Sequence, residues 1–171
     1  MKERLECVVS GRVQGVMFRD FTKRKELMGD VAFAKAVARF MEGATFKNVD
    51  AVRTAAVASK DKAEKTRLGL EAALRFEAFI KEFATSDFAP VALWNAQQIY
   101  AVEDQIDLAI ATADQLLKQY AKEIAGGDNL KNKLEETTIR DLAAYHEKVA
   151  NYPKAAETFV RFADKYKDLI M

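Results

Sequence analysis

Ten residues, SGRVQGVMFR at positions 10–19, carry the types and spacing of a phosphate-handling loop. Gly11 and Gly15 bracket Arg12, Val13 and Gln14, and two glycines so placed let a loop turn its amide N–H groups inward toward an anion. A helix opening at Val16 adds the positive end of its dipole at the same place. Arg19 falls in the first turn of that helix, where a guanidinium can hold a phosphoryl group through two parallel hydrogen bonds. Gly11, Arg12, Val13, Gln14, Gly15 and Val16 are therefore the predicted phosphate cradle, and Arg19 its clamp.

The other reactive side chains are sparse. Cys7 is the only cysteine, so no intrachain disulfide is possible and a cysteine-based metal site is not expected; the chain suits a reducing, cytoplasmic compartment. His146 is the only histidine, with no second imidazole to share a metal, and is assigned to solvent or to a groove. No metal and no cofactor is predicted. Carboxylate pairs such as Glu135-Glu136 are assigned to polar helix faces. Trp94 and the 11 phenylalanines fall at helical spacing, which favours core packing over a platform for stacked bases. Lys plus Arg is 27 against 26 for Asp plus Glu, so net charge gives no reason to seek nucleic acid or an anionic membrane. The local cluster Arg19, Lys23, Arg24, Lys25 reads as a solvated face. Met1 is followed by KERLE rather than by a charged start and an apolar run, so no secretory leader is expected, and no apolar stretch reaches membrane-spanning length.

The elements that must position these residues are mostly helices. Two prolines and seven glycines in 171 residues, with abundant Ala, Lys, Glu and Leu, favour long helices. Leu5, Cys7 and Val9 alternate with Glu6, Val8 and Ser10, a period of two that predicts one strand. Helices are predicted over Val16–Leu27, over VAFAKAVARFME with Val31, Ala34, Val37, Ala38 and Met41 along one side, and over Val49–Lys60. From Asp61, Leu68, Ala72, Phe76, Phe79, Ile80 and Phe83 keep the spacing of one buried face. Ser86 or Asp87 is the predicted cap of the next helix, with Pro90 in its first turn. Further helices follow over Pro90–Val102, Gln105–Ile124, a stretch carrying Leu130, Leu134, Leu142, Tyr145 and Val149, and a last one carrying Ala155, Ala156, Phe159, Phe162 and Tyr166. Placing Ala34, Ala72, Ala109 and Ala155 in register gives a degraded internal repeat with spacings of 38, 37 and 46 residues.

Two resemblances follow from these motifs. In LAAYHEKVANYPKAAETF, the residues Leu142, Ala143, Ala150, Tyr152, Ala155 and Phe159, and in LWNAQQIYAVEDQIDLAI the residues Leu93, Tyr100, Ile106 and Ala109, resemble the tetratricopeptide repeat. Phe162, where a small residue is usual, and Lys167, where a proline is usual, depart from it. The resemblance implies a mainly α protein of stacked antiparallel helix pairs, an α-solenoid, that binds another protein or peptide along its surface. Residues 9–19 are similar to the acylphosphatase signature. That implies hydrolysis of acyl phosphates without a metal, Arg19 holding the phosphate and an asparagine orienting the attacking water, for which Asn48 in GATFKNVDAV is the nearest candidate on a strand. The family's sheet is not matched, since residues 28–43 read as helical. The expected organisation is an acylphosphatase-like segment over 1–58, incomplete as a domain, and a tetratricopeptide-like domain over 59–171. Protein binding is the expected function, with acyl-phosphate hydrolysis the alternative.

Overall fold

The computed structural model describes residues 29–124 and 129–167. The predicted strand, the loop and the helix over Val16–Leu27 lie outside the described residues. Those residues form a mainly α-helical protein: α1 (Asp30–Ala58), α2 (Lys62–Glu82), α3 (Ala89–Val102), α4 (Ile106–Gln119), the short α5 (Ala121–Ile124), α6 (Asn129–Lys148) and α7 (Tyr152–Tyr166). There is no strand among them. The chain divides into two compact units, residues 1–41 and 42–171, and the described part of the first is the opening of α1.

α1 is continuous where two helices separated near Gly43 are expected. A glycine inside a helix costs about 1 kcal/mol relative to alanine, which is less than the burial gained just beyond it. Phe46 meets Phe76, Phe79 and Phe88 with ring centroids 5.8, 5.7 and 5.0 Å apart, and Val49 and Ala56 are buried. Phe46 and Val49 therefore join the same core as α2 and α3. The predicted face through Val31, Ala34, Ala38 and Met41 is exposed.

In the unit from Glu42 onward, helices stack in chain order: α2 on α3, α3 on α4, α4 on α6 and α6 on α7, with α3 also touching α6. The start signals explain the boundaries. Asp61 caps α2, its Oδ1 accepting the Glu64 N–H at 2.8 Å. Asn151 caps α7 in the same way through the Lys154 N–H at 3.4 Å. The expected cap of α3 is shifted: the Ser86 hydroxyl accepts from the Phe88 N–H at 3.2 Å, so Ser86 organises the turn before the helix and Phe88 occupies the cap position. The predicted helix over Gln105–Ile124 is interrupted at Tyr120, whose hydroxyl donates to the Ala84 carbonyl at 2.8 Å and anchors the end of α4 to the turn before α3.

The 46-residue register is realised atom by atom. The turns that follow α3 and α6 pass through Asp104 (φ 58°) and Ala150 (φ 55°), both left-handed. The Gln105 N–H bonds to the Tyr100 carbonyl and the Asn151 N–H to the His146 carbonyl, both at 2.8 Å, the long closing bond of a left-handed helix end. Thr112 and Thr158, again 46 apart, are both buried and both donate their hydroxyl to the carbonyl four residues back, at 2.7 and 2.8 Å. Ala109 and Ala155 are buried at equivalent places in α4 and α7. The pairs α3–α4 and α6–α7 are thus two copies of one helix-turn-helix. Ala72 is also buried, but Ala34 is exposed and does not join the series.

Candidate functional site

Of the residues predicted to handle phosphate, Gly11, Arg12, Val13, Gln14, Gly15, Val16 and Arg19 lie outside the described residues. Asn48 is described. It sits on α1, on an exposed side, and not on the strand expected for a water-orienting asparagine; the neighbouring Val49 is the residue turned into the core.

A concave site lies elsewhere, where α2 and α4 flank α3. Glu77, Ile80 and Lys81 form one face of α2, and Leu108, Ala111, Thr112 and Gln115 keep the i, i+3, i+4, i+7 spacing of one face of α4. Between them Leu93 of α3, almost fully buried, makes the floor. The cleft is open to solvent on one side and has a volume of about 170 Å³. Leu108, nearly half exposed, stands on its wall.

The polar atoms around this cleft are partly committed. The Tyr100 hydroxyl donates to Glu77 Oε1 at 2.8 Å. Burial, reinforced by the hydrogen bond and charge of Glu77, holds the Tyr100 phenol well above its ordinary value. The Thr112 hydroxyl is spent on the Leu108 carbonyl. Lys81 and Gln115 complete the rim. Glu77 is engaged by Tyr100 and the Thr112 hydroxyl by a backbone carbonyl, so what the lining offers is a seat for an apolar group with polar atoms around it. Among the described residues no three His, Cys, Asp or Glu side chains are gathered closely enough to hold a metal ion.

A second polar region runs between α3 and α6. Gln98 Nε2 donates to Asp141 Oδ2 at 2.9 Å, and Gln97, fully buried, reaches the Tyr145 hydroxyl at 3.5 Å. Trp94 Nε1, Gln97 Oε1, Thr138 Oγ1 and His146 Nδ1 are buried without a hydrogen-bond partner among the described residues. Burial raises the Tyr145 phenol, Gln97 opposes and Asp141 adds to the rise. His146 is therefore an inward-facing residue of α6 and not the solvent or groove residue expected. Glu135 is likewise buried, where a solvated face was expected: Lys165 Nζ pairs with its Oε1 and the Tyr166 hydroxyl donates to its Oε2 at 3.1 Å.

Sequence reasoning did not single out the cleft. Its one available signal was Leu108, a large apolar residue out of phase with the buried stripe of Ile106, Ala109, Ala113 and Leu116. Glu77, Lys81 and Gln115 carried no signal at all, because their role depends on which helices flank α3. Comparison of the chain with protein-family models, with curated proteins and with solved structures finds no match in any of the three.

Proposed function

We propose that this chain is a protein-interaction scaffold built of tetratricopeptide-like helix pairs, and that it binds a partner peptide by taking one apolar side chain into the cleft over Leu93. The cleft carries the reading. Three consecutive helices supply an apolar floor and wall, Ile80, Leu93 and Leu108, under a rim of Glu77, Lys81 and Gln115. This suits an apolar anchor flanked by peptide groups that hydrogen-bond at the edge, the usual anatomy of a peptide-binding hot spot. No helix among the described residues is long and apolar enough to cross a membrane. With Cys7 the only cysteine, the reading includes a reducing, cytoplasmic setting.

The test is a photo-reactive amino acid placed at Leu108, with the same residue at Lys118 as the control. Cross-links to one peptide region of a partner from position 108, lost when Leu93→Lys fills the cleft floor, are the expected result. Equal labelling from both positions removes the cleft from the proposal.

A second reading rests on the loop itself: Gly11 to Val16 as an anion cradle and Arg19 as its clamp support acyl-phosphate hydrolysis. The asparagine that reading needs is not supplied by Asn48 on a strand, so turnover at the family's level is not expected. An acyl-phosphate assay beside Arg19→Gln separates the two readings, since turnover abolished by that substitution would promote the enzyme.

A further inference from the structure

The two copies of the helix-turn-helix differ in one respect that bears on partners. α4 is packed on two sides, by α3 and by α6, whereas among the described elements α7 packs chiefly on α6. The 46-residue register shows which side of α7 this leaves bare. Ile106, Ala113 and Leu117 of α4 are buried, while their counterparts Tyr152, Phe159 and Ala163 in α7 are exposed, with Phe159 at 44% and Tyr152 at 64%. Val160, 60% exposed, extends the same side. At 3.6 residues per turn, Phe159, Tyr152, Ala163, Ala156 and Val160 span an arc of roughly 100°, the width of the apolar stripe by which a helix normally meets a core.

What covers such a side in this chain is a helix, because the equivalent side of α4 lies under α6. The electrostatics select among helices. Glu157 and Asp164, seven residues apart, run along the free edge of the stripe; both are exposed and neither is in an ion pair among the described residues. A second copy of α7 packed antiparallel about a twofold axis would bring this acidic edge against itself, which like charges oppose. We propose that the exposed stripe of α7 docks an amphipathic helix of another protein, one with an apolar stripe flanked by lysine or arginine that faces Glu157 and Asp164. This surface is separate from the cleft, and the inference does not rest on the reading of the cleft.

The probes are synthetic amphipathic peptides of about 18 residues: a Leu/Lys peptide, a Leu/Glu peptide with the same leucine positions, and a Leu/Lys peptide of scrambled order, titrated against the full chain by fluorescence anisotropy. The expected result is that the Leu/Lys helix binds at least about tenfold tighter than either control. Phe159→Gln and Val160→Lys, both at exposed positions, should each weaken it by about tenfold or more with the melting temperature held. The double variant Glu157→Lys, Asp164→Lys should transfer the preference to the Leu/Glu peptide. Affinities that ignore all these changes overturn the proposal. So does a concentration-dependent dimer in sedimentation that Phe159→Gln dissolves, because the stripe would then belong to a second copy.

Discussion

Ala150 is an alanine in a conformation that favours glycine. Its φ of 55° closes α6 and turns the chain into α7, and a side chain with a Cβ pays roughly 1–2 kcal/mol for the left-handed region. Asp104 meets the same demand at the end of α3 with a residue type that tolerates it better. Ala150→Gly is therefore expected to stabilise the fold by about 1 kcal/mol, and Asp104→Gly by less. Chemical denaturation of both variants checks this; a loss of stability in Ala150→Gly would mean that the alanine methyl packs usefully. At this scale the sequence was legible in part. The resemblance to the tetratricopeptide repeat puts Ala150 at the inter-helix turn, and the internal repeat puts Ala109 and Ala155 at equivalent places, which the structure shows to be buried. The burial of Glu135 could not be read, because a carboxylate reads as solvated until α7 is laid beside it and Lys165 and Tyr166 arrive from 30 and 31 residues away.

At the scale of the element, α4 and α7 are bound to their partners through small residues. Ala109 is fully buried and Ala155 nearly so, so Ala→Leu at either site must push a neighbouring helix away. Each change should cost roughly 1 to 3 kcal/mol, with Ala109 at the upper end because its helix is packed on both sides and has less room to move. Equal and negligible costs, read from urea unfolding, would show that the shared register does not set the contacts. The helices α2, α3, α4, α6 and α7 were legible from their apolar stripes and start signals, whereas the break at Tyr120 that separates α5 from α4 was not. Nor was the continuity of α1: the only local signal at Gly43 is a helix weakener, and what overrides it is the cluster of Phe46 with Phe76, Phe79 and Phe88, which lie 30, 33 and 42 residues further along the chain. The cleft was hidden for the same reason, being a property of three helices and of none singly.

For the whole molecule, four buried or partly buried tyrosines set a pH limit. The phenols of Tyr100, Tyr120, Tyr145 and Tyr166 are all held above their ordinary value, chiefly by burial. A folded value above the unfolded one, about 10, means that the stabilising contribution is complete below that pH and is lost as pH rises from there toward the folded value. The tyrosines' contribution to stability is thus expected to fall away above about pH 10. Tyr100→Phe, which forgoes the hydrogen bond to Glu77 but has no phenol to ionise, should lower stability at neutral pH and flatten the alkaline loss. Thermal melts of both proteins across pH 8–12 read this directly, and parallel slopes would exclude Tyr100 as a contributor.

The recurrence of one left-handed turn at Asp104 and Ala150 also fixes how such a chain can change length. Because the backbone leaves α3 and α6 through the same dihedral and the same closing hydrogen bond, the stretch from Gln105 to Ala150 is a whole unit of the architecture. Duplicating it, or excising it, joins ends that already have matching conformations. A gain or loss of any other size would leave a helix to end where no turn is prepared to receive it. The molecule's length is in this sense quantised, and its natural increment is the distance from one strained residue to the next.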